Sequence, residues 1–319
     1  MGTPTELISP APGSPPARGG RRRLGIGRQP SAPLGRTVVR AVPVLGGTTL
    51  LVSYLSLIVL IPIAALAAHG IGLSVHTHGA GARVWNWSVS TNFSSYWRAV
   101  TEPGSIHAIW LSVWLSLVVA VVNAVAGIGI AWILVRDDFP GKRLVEAVID
   151  LPFALPTIVA GVVFVYLYGQ TSPVHVVLFE KASGLLVALL FVTLPFSVRA
   201  VQPVLESLDV HSEAAARTLG ASRLRAFASV VLPAVAPAAL AGFGLAFARA
   251  IGEYGSISLI YGGLSRVTPA SSYLVQLASG PVSTWPQAAA VSTALLVVSL
   301  LLLSGSAAAA RRVQRRLVA

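Results

Sequence analysis

Few side chains in this sequence can do chemistry, and most of them lie inside apolar runs. The run "GFGLAFARAIGEYGSISLIYGG" places Arg249 and Glu253 four residues apart, on one face of a helix. Two roles fit that pair. It is an internal ion pair that holds helices together, or Arg249 supplies positive potential along a route for an anion. Arg ahead of Glu is the weaker order for a local pair at this spacing, so either residue is free to find its partner on another helix. "VIDLPFALPT" puts Asp150 just ahead of Pro152 and Pro156. "LPFSVRAVQP" puts Arg199 between Pro195 and Pro203, and Asn123 stands mid-way along a long apolar stretch. A charge at the bilayer centre costs at least about 2.5–3.5 kcal/mol, so these charged groups, and Asn123 with them, should face the protein interior or a polar path.

Reactive sets are missing. There is no G-x-x-x-x-G-K-[ST] phosphate loop, no G-x-S-x-G elbow and no H-E-x-x-H pair. With no cysteine, disulfides and thiolate metal sites are excluded. The six histidines lie at the ends of apolar runs or between them. His76 and His78 in "VHTH" have no third ligand nearby. We expect no catalytic residue, no metal and no cofactor on this chain.

One polar stretch interrupts the apolar sequence: "HSEAAARTLGASRLRAFASVVLPAVAPA", residues 211–238. Ala214–Leu219 is strong helix-forming sequence. Gly220 permits a tight turn or the close approach of another chain. Ser222 can cap a second helix, in which Leu224, Phe227 and Val231 form one apolar stripe while Arg223 and Arg225 project elsewhere. Pro233 is expected to end that helix and open the next apolar run. The unit reads as two short helices joined at a glycine. It either lies on lipid or docks in a groove of a partner protein.

The elements that must carry these residues are membrane spans. Of the 319 residues 55% are hydrophobic and 11% charged, against about 25% charged in soluble domains. A span needs roughly 20 apolar residues. Such runs predict an all-α integral membrane protein with six transmembrane helices, at about 42–68, 106–135, 144–168, 184–201, 233–260 and 288–310, within a membrane domain over 37–310. The net charge of +12 is segregated rather than spread. Basic residues crowd into the N-terminal stretch, the segment Arg136–Arg143, the stretch Arg199–Arg225 and the tail Arg311–Arg316. The opposite side receives Arg83, Arg98, Lys181 and Arg266. That bias points to topology rather than to nucleic acid, and it predicts a multi-pass cell membrane protein with both termini cytoplasmic. Residues 1–36, rich in Pro, Gly, Ser and Arg, read as a disordered basic tail, and 311–319 as a second basic tail. The first span is too long for a signal-peptide core and is expected to be retained. In 69–105, Trp85, Trp87, Tyr96 and Trp97 suggest a segment at the membrane interface.

The polar stretch also resembles a family signature. Membrane subunits of ABC importers carry E-A-A-x3-G-x9-I-x-L-P on a cytoplasmic loop. From Gly220 the spacing matches, with Val230 at the Ile position and Leu232 and Pro233 after it; Ala215 and Ala216 match the alanines. The glutamate position holds Ala214, and Glu213 stands one residue early. On a helix one residue is a rotation of about 100°. "RDDFPGKRLVEAVIDLPFALPTIVAGV", "LPFSVRAVQPVLESLD" and "FARAIGEYG" are similar to the sulfate/thiosulfate permeases, with molybdate and tungstate permeases as near relatives. The resemblance covers roughly residues 40–310.

It implies a type I ABC importer fold of the molybdate- and maltose-permease kind, with sulfate and thiosulfate as substrates. The near alternative it implies is a molybdate or tungstate permease; a secondary transporter is a different class, which would predict duplicated halves and a midplane ion site, and the sequence has no internal repeat or carboxylate cluster of that kind. The resemblance implies as partners a second homologous permease subunit, two cytoplasmic ATPase subunits that hold ATP and Mg, and an extracytoplasmic sulfate-binding protein. The loop 205–232 would then be the ATPase-coupling element, with Glu213, Ala214, Ala215, Ala216, Gly220, Ala221, Leu224, Phe227, Leu232 and Pro233 at the joint. Arg249, Glu253, Asp150, Arg199 and Asn123 would be candidates for the translocation path or for internal ion pairs.

Overall fold

The computed structural model describes residues 42–70, 74–78, 86–90, 93–173, 175–179, 181–261 and 268–318. The predicted tail 1–36, Trp85, Arg83 and Arg266 lie outside the described residues. The chain divides into two units, Met1–Val52 and Ser53–Ala319.

The first apolar run is helical throughout: α1 (Val42–Leu55), a π-helical turn (Ser56–Leu60) and α2 (Ile61–Gly70). Its window Gly47–His69 has a mean hydropathy of 2.5. Two short strands follow, β1 (Ser74–His78) and β2 (Asn86–Ser90), paired antiparallel with Ser74 opposite Ser90 and His78 opposite Asn86. His76 and His78 fall on β1 and Trp87 on β2. Among the described residues this hairpin is the whole of the β structure. Next comes α3 (Phe93–Thr101), an amphipathic helix on which Phe93 stacks on Tyr96 and Trp97 is exposed. That is the disposition of an interfacial helix.

α4 (Pro103–Arg136) has 34 residues, roughly 50 Å at about 1.5 Å per residue, and overspans a hydrocarbon core of about 30 Å. α5 (Lys142–Ala154) and α6 (Thr157–Tyr168) come next, then α7 (Ala182–Ser207). The polar stretch forms α8 (Val210–Thr218), α9 (Arg223–Ala226) and a π-helical turn (Phe227–Val231) that runs into α10 (Leu232–Ile251). The chain ends with α11 (Gly255–Tyr261), α12 (Ala270–Ser279), a 3-10 turn (Val282–Thr284) and α13 (Trp285–Val318).

Five helical stretches are long and apolar enough to cross a membrane: Gly47–His69, Pro103–Arg136, Ala182–Ser207, Arg223–Ile251 and Val282–Arg316. The expected span at 144–168 is the pair α5 and α6, bent by 114°, and it makes a sixth span when the pair is taken as one. The break falls at Leu155–Pro156, because proline pushes the residue before it out of helical backbone; Leu155 has φ −88° and ψ 132°. The expected fifth span, 233–260, is corrected. Its helix starts at Arg223 and stops at Ile251, and Gly252 separates it from the short α11.

The core is built on α4, α7 and α10, with α13 along α10. Without a hydrophobic drive between helices in lipid, close backbone approach supplies the contact, and small residues make it possible. Gly127 on α4 is the clearest case: a Cβ there would stand 2.8 Å from the Ser197 Cβ and 2.9 Å from its backbone carbon. Val198, Val201 and Leu205 of α7 pack with Leu134, Val231 and Val235 at the end that carries α8 and α9. Leu115, Val119, Leu185 and Leu189 pack with Ala250 and Ile257 deeper in.

Candidate coupling and translocation site

The coupling unit is two helices joined at a glycine. Asp209 caps α8, its Oδ1 accepting the His211 N–H at 2.9 Å. At the other end the Gly220 N–H donates to the Arg217 carbonyl at 3.0 Å and the Ala221 N–H to the Ala216 carbonyl at 3.1 Å. These two bonds make a Schellman motif, which needs a left-handed residue at its turn. Gly220 supplies it with φ +88°, and nothing stands within 4 Å of a Cβ placed there. Of the two uses the sequence allowed this glycine, the turn is the one present. Ser222 then caps α9, accepting the Arg225 N–H at 3.3 Å.

Pro233 does not end the cytoplasmic helix, which corrects the sequence expectation. A proline lacks the N–H and crowds the carbonyl one turn back. The preceding turn widens to π geometry, with the Leu232 N–H bonding to the Phe227 carbonyl, and the helix passes through. The apolar stripe is divided as well. Val231 is fully buried and Phe227 meets Trp132 edge-on at 5.2 Å, whereas Leu224 is 79% exposed. Only the inner part of the stripe has α4 to pack on. Leu219, which sequence reasoning passed over, is 89% exposed, so Leu219 and Leu224 flank Gly220 as an apolar tip. Ala214 and Ala215 are exposed, Ala216 and Ala221 half-buried.

The misplaced glutamate has an internal partner. Arg136, the last residue of α4, donates from Nε to Glu213 Oε1 at 2.8 Å and from a terminal nitrogen to the Leu208 carbonyl at 3.1 Å. This ties the start of the coupling unit to the end of α4.

The candidates inside the membrane sort into two clamps and one half-open pair. Asn123 is buried; its Nδ2 donates to the Leu190 carbonyl at 3.0 Å and to Thr193 Oγ1 at 2.8 Å, joining α4 to α7. Asp150 and Arg199 find each other. The Arg199 Nε donates to Asp150 Oδ1 at 2.8 Å, and a terminal nitrogen donates to Oδ2, a fork between α5 and α7. Beside it Phe153 meets Phe196 edge-on at 5.0 Å. Arg249 and Glu253 pair with each other at 2.7 Å rather than with another helix. The weak order assumed a continuous helix, but Glu253 lies beyond the end of α10 at Gly252. Arg249 therefore complements the C-terminal end of α10, while Glu253 Oε1 accepts the Ser256 N–H at 3.0 Å at the start of α11. The Glu253 side chain is 1% exposed and the Arg249 side chain 34%, so part of the guanidinium remains open. Among the described residues there is no group of three or more His, Cys, Asp and Glu placed to hold a metal ion.

Residues 123–318 match the family described as binding-protein-dependent transport system inner membrane component. The sulfate transport system permease protein CysT of Synechocystis sp. is 39% identical over 214 residues, covering 65% of this chain and 68% of that protein. The CysT protein of Escherichia coli is 36% identical over 256 residues, 78% of this chain and 85% of that one. Among solved structures, a bacterial ABC transporter involved in the import of the acidic polysaccharide alginate aligns with a TM-score of 0.62 at 13% identity, covering 86% of this chain and 96% of that chain. The MetNI methionine ABC transporter, in an inward-facing conformation, aligns with a TM-score of 0.52 at 18% identity, over 65% and 95%. At these identities the two structures speak for the fold alone.

Proposed function

This chain belongs to the family of binding-protein-dependent transport system inner membrane components, and from that premise we propose that it is the permease subunit of an ATP-driven importer carrying sulfate, and thiosulfate, into the cytoplasm by alternating access. Its fold is the type I importer fold, and it is a multi-pass membrane protein. The observation that carries the reading is mechanical. One continuous helix, Arg223–Ile251, starts at the coupling turn and ends deep in the membrane beside the Arg249–Glu253 pair.

Nucleotide chemistry sits on two partner ATPase subunits, which bind ATP and Mg; this chain has no phosphate loop of its own. A second permease subunit completes the path, and an external sulfate-binding protein delivers the anion. Both termini face the cytoplasm, with the basic residues. Closure of the ATPases moves α8 and α9. The rod through α10 carries that movement to the membrane, and the permease pair switches between outward- and inward-facing states. Coupling of this kind needs a two-state element that both sites bias.

The test is sulfate uptake by a strain lacking the gene, complemented by this chain, with thiosulfate and molybdate as competitors. We expect ATP-dependent sulfate uptake that thiosulfate inhibits. Molybdate uptake with no sulfate uptake would assign the neighbouring oxyanion class. Uptake that survives loss of ATP would assign a secondary transporter.

A further inference from the structure

Beside the coupling unit lies a cleft that the family signature does not account for. It opens between the end of α4 and helices α8 and α9, holds about 330 Å³, and is lined by Trp132, Arg136, Asp137, Glu213, Arg217 and Arg223 among others. A liquid water takes up on the order of 30 Å³, so the cleft has room for a side chain. Within it Arg136 and Glu213 neutralise one another. Among the described residues Arg217 and Arg223 make no ion pair, and the remaining acid in the lining is Asp137. Trp132 forms part of the wall. The cleft adjoins an apolar groove between Trp132, Arg223, Leu224 and Phe227.

We propose that this cleft receives a carboxylate side chain of the ATPase partner, which sits between Arg217 and Arg223, while the adjoining groove takes an apolar neighbour of that acid. The proposal rests on the importer reading above. Charge complementarity selects the occupant: two unpaired guanidiniums line a space with one unpaired acid. The glutamate of this coupling unit is turned inward to Arg136, so at this joint the permease contributes the cations and the ATPase contributes the acid.

The test uses the assembled complex, both permeases with both ATPases, in lipid nanodiscs. The reading is the fraction of ATPase retained as salt rises. Arg217→Glu combined with Arg223→Glu should lower retention on the order of tenfold, since like charges across an interface repel. Arg217→Lys with Arg223→Lys should keep retention near the parent, which shows that a loss in the reversed variant is one of charge and not of folding. An acid-to-lysine change in the ATPase groove should restore binding to the reversed permease. Undiminished retention by that permease overturns the proposal. So does retention that depends on phosphatidylglycerol in the nanodisc, or ATPase turnover that free sulfate alters through Arg217 and Arg223, because the cleft then holds a lipid headgroup or a free anion. Those outcomes leave the importer reading standing. A parent complex that retains no ATPase removes both readings and is recognised before any variant is compared.

Discussion

Asn123 joins two helices with one amide, and its two acceptors define what its loss would cost. Asn123→Leu removes both bonds, while the Thr193 hydroxyl keeps its own bond to the Leu189 carbonyl. Each lost bond costs about 0.5–1.5 kcal/mol. The expected result is a lower melting temperature in detergent with uptake per folded molecule preserved; preserved melting with lost uptake would place Asn123 in the anion path instead. Arg249→Ala strands the Glu253 carboxylate, which is 1% exposed. Breaking a buried pair from one side costs about 3–5 kcal/mol, and less here because Arg249 is a third exposed. Arg249→Met with Glu253→Gln removes the stranded charge, and the melting temperature should recover. Uptake that stays lost in this stable double variant would mark Arg249 as a group on the route. All five intramembrane candidates were legible from residue type, because a polar group in an apolar run must find a partner. Their pairing was not. Asp150 and Arg199 are 49 positions apart, and nothing local in either segment names the other. Arg136, the partner of Glu213, read as one more cytoplasmic cation.

Helices were legible where apolar runs were long, and their breaks were legible only where proline or glycine acts on a single residue. Pro156 bends the chain because it dictates the backbone of Leu155. Pro233 looked equivalent and is not, since the turn before it widens and the helix continues. Whether a proline breaks or passes depends on the room around the preceding turn, which is a tertiary property. Gly220 belongs to the first kind. A side chain in the left-handed region costs about 1–2 kcal/mol, and a branched residue is the worst case. Gly220→Val should therefore distort the turn between α8 and α9 and abolish both uptake and substrate-stimulated ATP hydrolysis. If both persist in the assembled complex, the coupling role assigned to this unit is wrong. Gly127 tests packing in the same way. Gly127→Leu drives a side chain into Ser197, and overpacking of this kind costs about 1–3 kcal/mol, read as reduced yield of folded protein.

For the whole molecule, the open number is how many times the chain crosses. Five crossings with α5 and α6 as a re-entrant pair put the termini on opposite sides; six put them together. The chain has no cysteine, so single cysteines report cleanly. Cysteines placed at Lys142 and at Thr171, which is exposed, should be labelled from opposite faces of sealed vesicles, and one placed at Arg316 should share the face of Lys142. Labelling of the Lys142 and Thr171 positions from the same face would make the bent pair re-entrant and would separate the termini.

The π-helical turn at Phe227–Val231 has a consequence for insertions and deletions. A π turn is an α-helix that has taken in one extra residue, and each residue turns a helix by about 100°. Everything before Phe227 is therefore set at an angular phase that an uninterrupted α-helix would not give it. Deleting Ala228 would let the rod relax to a plain α-helix while the membrane half keeps its packing. The coupling tip would then keep its present direction, because the deletion removes the one residue that the wide turn had absorbed. Such a variant should insert, fold and still couple; lost uptake in a stably inserted variant would show that coupling needs the wide turn itself.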